Sequence, residues 1–368
     1  PPSTVLVEVS TGQVLAQSDA HRRVPPASLD KLMTFYLTLQ AIRAHRIALD
    51  SSVTVSAEAW RIGRTPGSSR MFLNVGDVVT VRELLSGLTV ASGNDAAEAL
   101  AEAVGGSGPE FVDMMNAEAV RLGLRDTHYV TPHGLPSPGE YTSAWDVALL
   151  ARHILLEFPE AVEITSARYE TYARIQQANW NNLVFRDPRV DGLKTGHTDE
   201  AGYHIAATAV EHGMRLIAVV LGAPTLMRRT DLAEGLFAEG FSQYALMPVP
   251  WQQVVPTTVT VYGGTAPDVS LETAAPVAVL LHRNSREALS IVEAITARPF
   301  APFARAQAMG TLTVALNGHP LVETPLLAAG PVERASLFGR AWGYVRYAAG
   351  HVFHRAPTVF HGTYAPAE

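Results

Sequence analysis

The strongest constraint on the fold is a change of hydrophobic pattern around three prolines, Pro248, Pro250 and Pro256. Before the prolines, apolar residues recur every three or four positions over long stretches, which predicts helices. After the prolines, short apolar runs alternate with Gly and Pro turns, which predicts strands. We therefore predict two domains and a terminal segment, with boundaries at 1–244, 245–332 and 333–368.

The first domain is predicted to begin and end with strands and to be helical between them. Val5–Val9 opens a predicted hairpin, and Tyr203–Val210 and Arg215–Leu221 predict strands joined by a tight turn at His212-Gly213. Strands at both ends of a helical segment predict a mixed α/β domain whose sheet combines the two ends. Helices are predicted at Ser28 to about Arg46, Val81–Leu88, Asp95–Val104, Pro109–Leu122, Ser143–Leu156 and Leu226–Tyr244.

The second domain is predicted to be small and all-β. Its clearest signal is Asn317-Gly318 between the strand patterns Thr311–Leu316 and Leu321–Leu327, which is typical of a two-residue hairpin turn. Hydrophobic residues make up 47% of the chain, enough for packed cores. Cysteine is absent, which excludes disulfides, iron–sulfur clusters, thiolate zinc sites and cysteine nucleophiles.

The terminal segment combines helical periodicity with positive charge. Apolar residues such as Leu337, Trp342 and Val345 recur at helical spacing, and 334–355 carries four arginines and no acidic residue. This pattern predicts an amphipathic helix that lies on an anionic membrane surface, although packing on its own domain would leave the same pattern. No apolar run is long enough for a spanning helix.

Net charge and lysine content limit the kinds of function that the chain can have. The formal net charge of −7 argues against nucleic acid as the main partner. Of the 28 basic residues, only Lys31 and Lys194 are lysines. In a chain so biased towards arginine, we expect lysine where an amine must be able to lose its proton, because guanidinium effectively never does.

Both lysines lie in patterns typical of serine acyl-enzyme chemistry. Ser28 precedes Lys31 by three residues, so a helix that begins at Ser28 would place the hydroxyl beside an amine that can act as its base. Lys194 is followed by Thr195 and Gly196, a cation, a hydroxyl and a small residue that suit a substrate carboxylate. Each pattern alone also fits a helix cap or a solvated surface.

A third pattern lies between these two. Ser92-Gly93-Asn94 supplies a hydroxyl for proton relay and an amide for orienting a carbonyl, although an ordinary helix cap would also fit. The order S-x-x-K, S-x-N and K-T-G is that of the penicillin-interacting serine enzymes. No His-Glu-x-x-His zinc pattern is present, and no metal or cofactor is expected.

The sequence resembles the D-alanyl-D-alanine carboxypeptidases, the low-molecular-mass penicillin-binding proteins. The flanks of the motifs match as well: Pro26-Ala27-Ser28 to Thr34, Ser92 to Ala96, Pro132-His133-Gly134-Leu135, and Val190 to Asp199. The resemblance implies a penicillin-binding or β-lactamase-like α/β fold with a mostly antiparallel sheet and flanking helices, a small β domain and a terminal amphipathic helix. It also implies an exported protein at the outer face of the cytoplasmic membrane or in the periplasm.

The resemblance further implies substrates and roles. The substrate would be the peptidoglycan stem pentapeptide, and β-lactams would be covalent inhibitors. Ser28 would be the nucleophile and Lys31 its base, while Ser92 and Lys194 would deliver a proton to the leaving amine. Backbone N–H groups of Ser28 and His197 would form the oxyanion hole. The substrate-binding residues would be Asn94, Thr195, Gly196, His197 and Arg229.

Two positions depart from the family pattern, and three other functions share parts of it. Asp30 stands where the family usually has Thr, Ser or Ala, and we expect it to point away from Ser28 and to be tolerated. Trp180 stands where the family often has Arg. The alternatives are a DD-endopeptidase, a β-lactamase, which needs a separate deacylating glutamate that Glu140 does not resemble, and an inactive scaffold that binds peptidoglycan.

Overall fold

In the computed structural model, which describes residues 1–285, 288–295, 300–351 and 358–364, the chain forms two units, Pro1–Ser242 and Gln243–Glu368. The first unit contains a five-stranded antiparallel sheet in the order β2-β1-β9-β8-β7. Val5 of β1 pairs with Val219 of β9, so the sheet combines both ends of the unit as predicted. The strands are β1 (Ser3–Glu8), β2 (Val14–Ser18), β7 (Val190–Thr198), β8 (Gly202–Glu211) and β9 (Met214–Ala223).

The turn between β8 and β9 sets the register of these two strands. The neighbouring strand, β7, carries the Lys-Thr-Gly pattern. Glu211 pairs with Met214 across the β8–β9 hairpin, which leaves His212 and Gly213 as the loop. Both have positive φ, 49° and 81°, as the favoured two-residue hairpin turn requires. Two further ribbons flank the sheet: β3 (Ser52–Thr54) with β4 (Val78–Thr80), and β5 (Tyr169–Tyr172) with β6 (Ile175–Ala178).

The helices of the first unit surround one strongly buried helix, α1. Every residue from Lys31 to Leu39 is buried, including the polar Thr34 and Thr38. Buried hydroxyls need partners, and Thr34 Oγ1 donates to the Pro132 carbonyl at 2.6 Å. The helices are α1 (Lys31–Arg43), α2 (Ala57–Gly63), α3 (Val81–Thr89), α4 (Asn94–Gly105), α5 (Gly108–Leu122), α6 (Ala144–Glu157), α7 (Ala161–Thr165), α8 (Leu183–Arg186) and α9 (Leu226–Gln243).

The predicted helix from Ser28 to about Arg46 begins later than expected. Residues Ala27–Asp30 form a separate 3₁₀ turn, and the α-helix starts at Lys31. The turn is entered through Ala27 with φ of 49°, a left-handed conformation that a continuous helix cannot include. The prediction was wrong in the first turn because periodicity does not separate a 3₁₀ turn from an α-helix that follows it directly.

The second unit is built from strands, as predicted. A six-stranded antiparallel sheet has the order β11-β12-β16-β15-β14-β17, and β10 pairs with β13 in a separate ribbon. Leu316 pairs with His319, so Asn317-Gly318 is the predicted hairpin loop. The strands are β10 (Tyr244–Pro248), β11 (Thr258–Thr260), β12 (Asp268–Thr273), β13 (Ala278–His282), β14 (Leu289–Ile295), β15 (Ala308–Leu316), β16 (His319–Ala328) and β17 (Thr358–Tyr364).

The terminal segment contains a helix, α10 (Leu337–His351), and the strand β17. The sequence did not predict β17, which pairs with β14 from Leu289↔Tyr364 to Ile295↔Thr358. Residues 352–355 of the predicted helix lie outside the described residues. Among the helices that the structure describes, none is both long and apolar enough to cross a bilayer.

Candidate active site

Ser28 and Lys31 meet at the junction between the 3₁₀ turn and α1. Lys31 Nζ lies 2.9 Å from Ser28 Oγ, 2.5 Å from Asn94 Oδ1 and 2.6 Å from the His133 carbonyl oxygen. Lys31 is 1% exposed, whereas Ser28 is partly exposed. A buried amine therefore contacts a hydroxyl that solvent can reach.

Burial lowers the pKa of Lys31 to about 7, because the charged amine would lose its hydration. Negative charge on the neighbouring carboxyls Asp30, Asp95 and Glu140 would oppose this change. An amine with a pKa of about 7 is neutral in a large fraction of molecules at neutral pH. Lysine in water, with a pKa near 10.4, is almost entirely charged.

Ser92 and Lys194 form a second hydroxyl–amine pair. Lys194 Nζ donates to Ser92 Oγ at 2.8 Å and to the Thr195 carbonyl at 2.8 Å. Burial lowers the pKa of Lys194 well below its usual value, and the positive charges of Lys31 and Arg229 add to the effect. Ser92 is not the helix cap of α4, since Gly93 occupies that position, and Ser92 has a φ of 60°. A left-handed conformation at a buried serine is typical of a functional position.

Asn94 links the first pair to a neighbouring loop. Its Oδ1 accepts from Lys31, and its Nδ2 donates to Ser68 Oγ at 2.7 Å. Sequence reasoning missed Ser68, which belongs to a turn-rich segment without a motif of its own. The structure therefore brings Ser28, Lys31 and Asn94 into one hydrogen-bonded cluster.

Strand β7 lies beside the 3₁₀ turn, and Gly196 allows the two backbones to come close because it has no side chain. A Cβ at Gly196 would stand 3.1 Å from the Ser28 backbone nitrogen and 3.3 Å from the Pro26 carbonyl oxygen. Thr195 is 5% exposed. The His197 side chain is exposed and packs on Tyr203 with ring centroids 4.0 Å apart. The His197 ring therefore lies at the surface, and its backbone directly follows Gly196 on β7.

Arg229 of α9 is buried, at 3% exposure, and is not the surface residue that a helical position alone would suggest. Its Nη2 lies 3.4 Å from the Trp180 carbonyl oxygen and 3.3 Å from Asn182 Oδ1. Its Nε has no hydrogen-bond partner in the described part of the chain. Burial lowers the pKa of Arg229 to about 10, which leaves the guanidinium charged at neutral pH.

The Trp180 side chain is 54% exposed, and its indole N–H donates to the Ala91 carbonyl at 3.2 Å. The tryptophan therefore lies against the residue that precedes Ser92. Two arginines nearby in sequence are engaged elsewhere: Arg186 pairs with Glu234, and Arg189 pairs with Asp187. Over the described residues, no group of three acidic or histidine side chains could hold a metal ion.

His133 contributes its carbonyl oxygen, which accepts from Lys31. The ring does what a loop-packing role predicts, because its Nδ1 accepts the Leu135 backbone N–H at 3.1 Å. The loop approaches the 3₁₀ turn so closely that a Cβ at Gly134 would stand 1.8 Å from the Ala27 carbonyl oxygen. Only a glycine fits there.

Comparison with known proteins agrees with this geometry. Residues 2–225 match the family described as D-alanyl-D-alanine carboxypeptidase, and residues 250–334 match the C-terminal domain of penicillin-binding protein 5. D-alanyl-D-alanine carboxypeptidase DacC of Escherichia coli is 37% identical over 345 residues, 93% of this chain and 86% of that protein.

Solved structures give the same result. Penicillin-binding protein 5 from Haemophilus influenzae is 34% identical with a TM-score of 0.77, covering 90% of this chain and 97% of that one. Penicillin-binding protein D2 from Listeria monocytogenes in its cefotaxime-bound form is 32% identical with a TM-score of 0.59, covering 65% and 96%. The predicted α/β fold with a C-terminal β domain and the serine peptidase function are confirmed, and the chain belongs to the D-alanyl-D-alanine carboxypeptidase family.

Proposed function

We propose that Ser28 is the nucleophile of this carboxypeptidase and that Lys31 is its general base. The observation that carries the proposal is the buried Lys31 amine, 2.9 Å from Ser28 Oγ, with a pKa lowered to about 7. A base works best when its pKa lies near the working pH, because it is then both neutral and basic enough to accept a proton.

The neighbours of Lys31 determine which way its hydrogen bonds run. The Asn94 Oδ1 and His133 carbonyl oxygens can only accept, so they take the two N–H groups of a neutral amine. The remaining lone pair then points at the Ser28 hydroxyl, the one neighbour of the three that can donate. Neutral Lys31 is thus oriented to receive the Ser28 proton.

The reaction follows from these contacts. Ser28 Oγ attacks the carbonyl carbon between two D-alanines while its proton moves to Lys31 Nζ. The C–N bond then breaks, and the leaving D-alanine amine takes a proton from Ser92 Oγ, which is replenished through the Lys31 and Lys194 amines. Water hydrolyses the remaining Ser28 ester, which releases the shortened peptide as a carboxylate and restores the serine hydroxyl.

Positive charge is proposed to select the free carboxylate of the terminal D-alanine. Lys194 and Arg229 are buried, and neither forms a hydrogen bond to a carboxylate within the described residues. An anionic substrate end would supply the missing counter-charge, with the Thr195 hydroxyl as an additional donor.

The oxyanion hole is proposed to consist of the Ser28 and His197 backbone N–H groups. The close approach of Gly196 to the Ser28 nitrogen brings these two segments together. Loss of one such donor typically costs ~3–4 kcal/mol of transition-state stabilisation. Because both donors belong to the backbone, the His197 ring is not required for this role.

β-Lactams are proposed to acylate the same serine, since Listeria penicillin-binding protein D2, a structural neighbour, was solved bound to cefotaxime and to ampicillin. The first test is intact mass after mixing with benzylpenicillin, followed over hours and mapped by peptide digestion. A one-to-one adduct on Ser28 that decays slowly is expected, and Ser28→Ala should give none. An adduct on another residue would contradict the assignment of the nucleophile.

A second assay identifies which reaction the protein catalyses. Release of free D-alanine from a stem pentapeptide is expected for a carboxypeptidase. Cleavage of cross-linked dimers without such release would identify an endopeptidase, and rapid turnover of benzylpenicillin would identify a β-lactamase. No adduct and no turnover of any substrate would favour an inactive scaffold that binds peptidoglycan.

We also propose that the protein works outside the cytoplasm and binds a membrane surface through 334–355. The α10 helix packs on its own unit through Gly343, where a Cβ would lie 2.4 Å from the Gly263 nitrogen, and through Tyr347, whose ring contacts Tyr262. Its other face carries Leu337, Phe338, Trp342 and Val345, which are 56–91% exposed. An apolar face beside arginines suits the interface of an anionic bilayer.

Co-sedimentation with vesicles tests this surface. The full chain should bind vesicles that contain an anionic lipid and bind zwitterionic vesicles weakly. Trp342→Glu should reduce binding about tenfold or more, while the matched control Val120→Glu, on an exposed valine of the first unit, should not. Equal binding by Trp342→Glu and the wild type would contradict the proposed membrane face.

A further inference from the structure

A pair of buried carboxyls lies next to the general base. Asp30 directly precedes Lys31 and is 1% exposed, and Glu140 is 9% exposed. The Asp30 carboxyl lies within hydrogen-bonding reach of the Glu140 carboxyl. No donor from the described residues reaches either Asp30 oxygen. Two ionised carboxylates in such contact would repel each other, so the pair must hold a proton.

The hydrogen bonds around the pair identify the residue that holds it. Glu140 Oε1 accepts from the backbone N–H groups of Val130 and Thr131, at 3.1 and 2.8 Å, and from Thr131 Oγ1 at 3.1 Å. Glu140 thus already accepts three hydrogen bonds, whereas Asp30 accepts none from the described residues. The proton therefore belongs to Asp30, whose O–H donates to Glu140. Burial and then the Glu140 charge raise the pKa of Asp30 well above its usual value.

The pair is connected to the base through the loop that contains His133. Thr131 Oγ1, one of the donors to Glu140, also accepts the Gly134 backbone N–H at 2.8 Å. Between these two residues lies His133, whose carbonyl oxygen accepts from Lys31 Nζ at 2.6 Å. A carboxylate held in place by Asp30 thus fixes the turn that orients the Lys31 amine.

We propose that Asp30 is a protonated positioning residue: its shared proton anchors Glu140 and the 131–134 loop against Lys31, and it leaves one negative charge, not two, beside the base. Asp95 is the other carboxyl that acts on Lys31, and the buried Tyr129 hydroxyl is acted on by both members of the pair. The sequence expectation that Asp30 is simply tolerated gives way to a specific role for it.

The pH dependence of acylation tests the protonation state. The rate of acylation by benzylpenicillin should fall on the acid side with a midpoint set by Lys31. Asp30→Asn exchanges one neutral donor for another, so the midpoint should stay within about 0.3 pH units. If Asp30 were ionised, its removal would lower the midpoint by about one unit or more, and that result would overturn the proposal.

Asp30→Ala tests whether Asp30 positions Glu140 and the 131–134 loop or has no effect on acylation. It removes the donor to Glu140 and should slow acylation about tenfold and lower the Tm by roughly 5 °C, while Asp30→Asn should recover most of both losses. Equal rates for Asp30→Ala and the wild type would overturn the positioning role.

A spectroscopic readout does not depend on the proposed role of Lys31 or on the folding of the alanine variant. The infrared difference spectrum between wild type and Asp30→Asn at pH 7 should show the carbonyl band of a protonated carboxylic acid in the wild type. Carboxylate bands in its place would overturn the proposal even if Lys31 proved to be the base.

Discussion

Two buried lysines of the first unit and one buried glutamate of the second differ in whether they have hydrogen-bond partners. In the first unit, Lys31 and Lys194 are 1% and 2% exposed, and each donates to more than one acceptor. In the second unit, Glu293 of β14 is 0% exposed, and within the described residues neither carboxylate oxygen has a hydrogen-bond partner. Burial shifts each pKa towards the neutral form, but only for Lys31 is the neutral form also the one proposed to react.

The comparison shows that desolvation alone does not make a site. The proposed role of Lys31 as a base depends on two obligate acceptors, which turn its lone pair towards Ser28. Glu293, whose pKa burial raises to about 7, has no hydrogen-bonded hydroxyl or amine to activate in the described part of the chain. A neutral buried group can act as a base or an acid only when its neighbours also orient it towards a reacting group.

The largest expected effect comes from removing the ability of residue 31 to lose its proton. Lys31→Arg keeps the positive charge but cannot become neutral, so acylation by benzylpenicillin should fall by roughly 10²–10⁴-fold. The measurement is the rate of adduct formation by mass, with thermal melting as the check that the variant is folded. A folded Lys31→Arg protein that acylates at the wild-type rate would remove Lys31 as the base.

Sequence motifs located most of the candidate site because catalysis requires particular residue types. Ser28, Lys31, Ser92 and Lys194 were identified from S-x-x-K, S-x-N and K-T-G, and the structure brings each hydroxyl to within 2.9 Å of an amine. Hairpin signals were equally reliable. Asn317-Gly318 needs positive φ at both positions, which few residue pairs accept readily, so the sequence reveals the turn.

Features set by long-range approach were not predictable. Ser68, Glu140 and the His133 carbonyl reach the site from distant parts of the chain, and no periodicity encodes the meeting of Lys31 with a carbonyl 102 residues away. The strand β17 was missed because its partner β14 is remote in sequence. Asp30 was expected to point away from Ser28 and to be tolerated, and only the folded chain shows that it lies beside Glu140.

Glu293→Gln tests the cost of the unpartnered carboxyl in the second unit. The pKa of Glu293 is about 7 in the folded chain and near 4.5 when unfolded, so the folded state is destabilised as pH rises from 4.5 to 7. Glutamine removes this penalty, so stability should increase by roughly 2–3 kcal/mol at pH 8 and change little at pH 4. Hydrogen exchange of β14 and β15 in the full chain measures the gain at each pH.

The matched control is Glu323→Gln, an exposed glutamate on β16 of the same sheet, which should change exchange little at either pH. Equal stabilisation by Glu293→Gln at pH 4 and pH 8 would mean that Glu293 does not titrate between them. In that case the contrast between the two units would rest on packing and not on charge.

The smallest effect on stability is expected for a charged pair that stays exposed to solvent. Arg186 and Glu234 form an ion pair at 3.1 Å in the first unit, with side chains 42% and 31% exposed. Glu234→Gln should destabilise the protein by about 0.5 kcal/mol or less, and added salt should reduce even that, because water and ions screen the pair. Thermal melting at low and high salt measures both quantities. Glu234→Gln could instead destabilise the protein by as much as Glu293→Gln is expected to stabilise it. That result would show that burial does not determine how strongly a charged group affects stability in this chain.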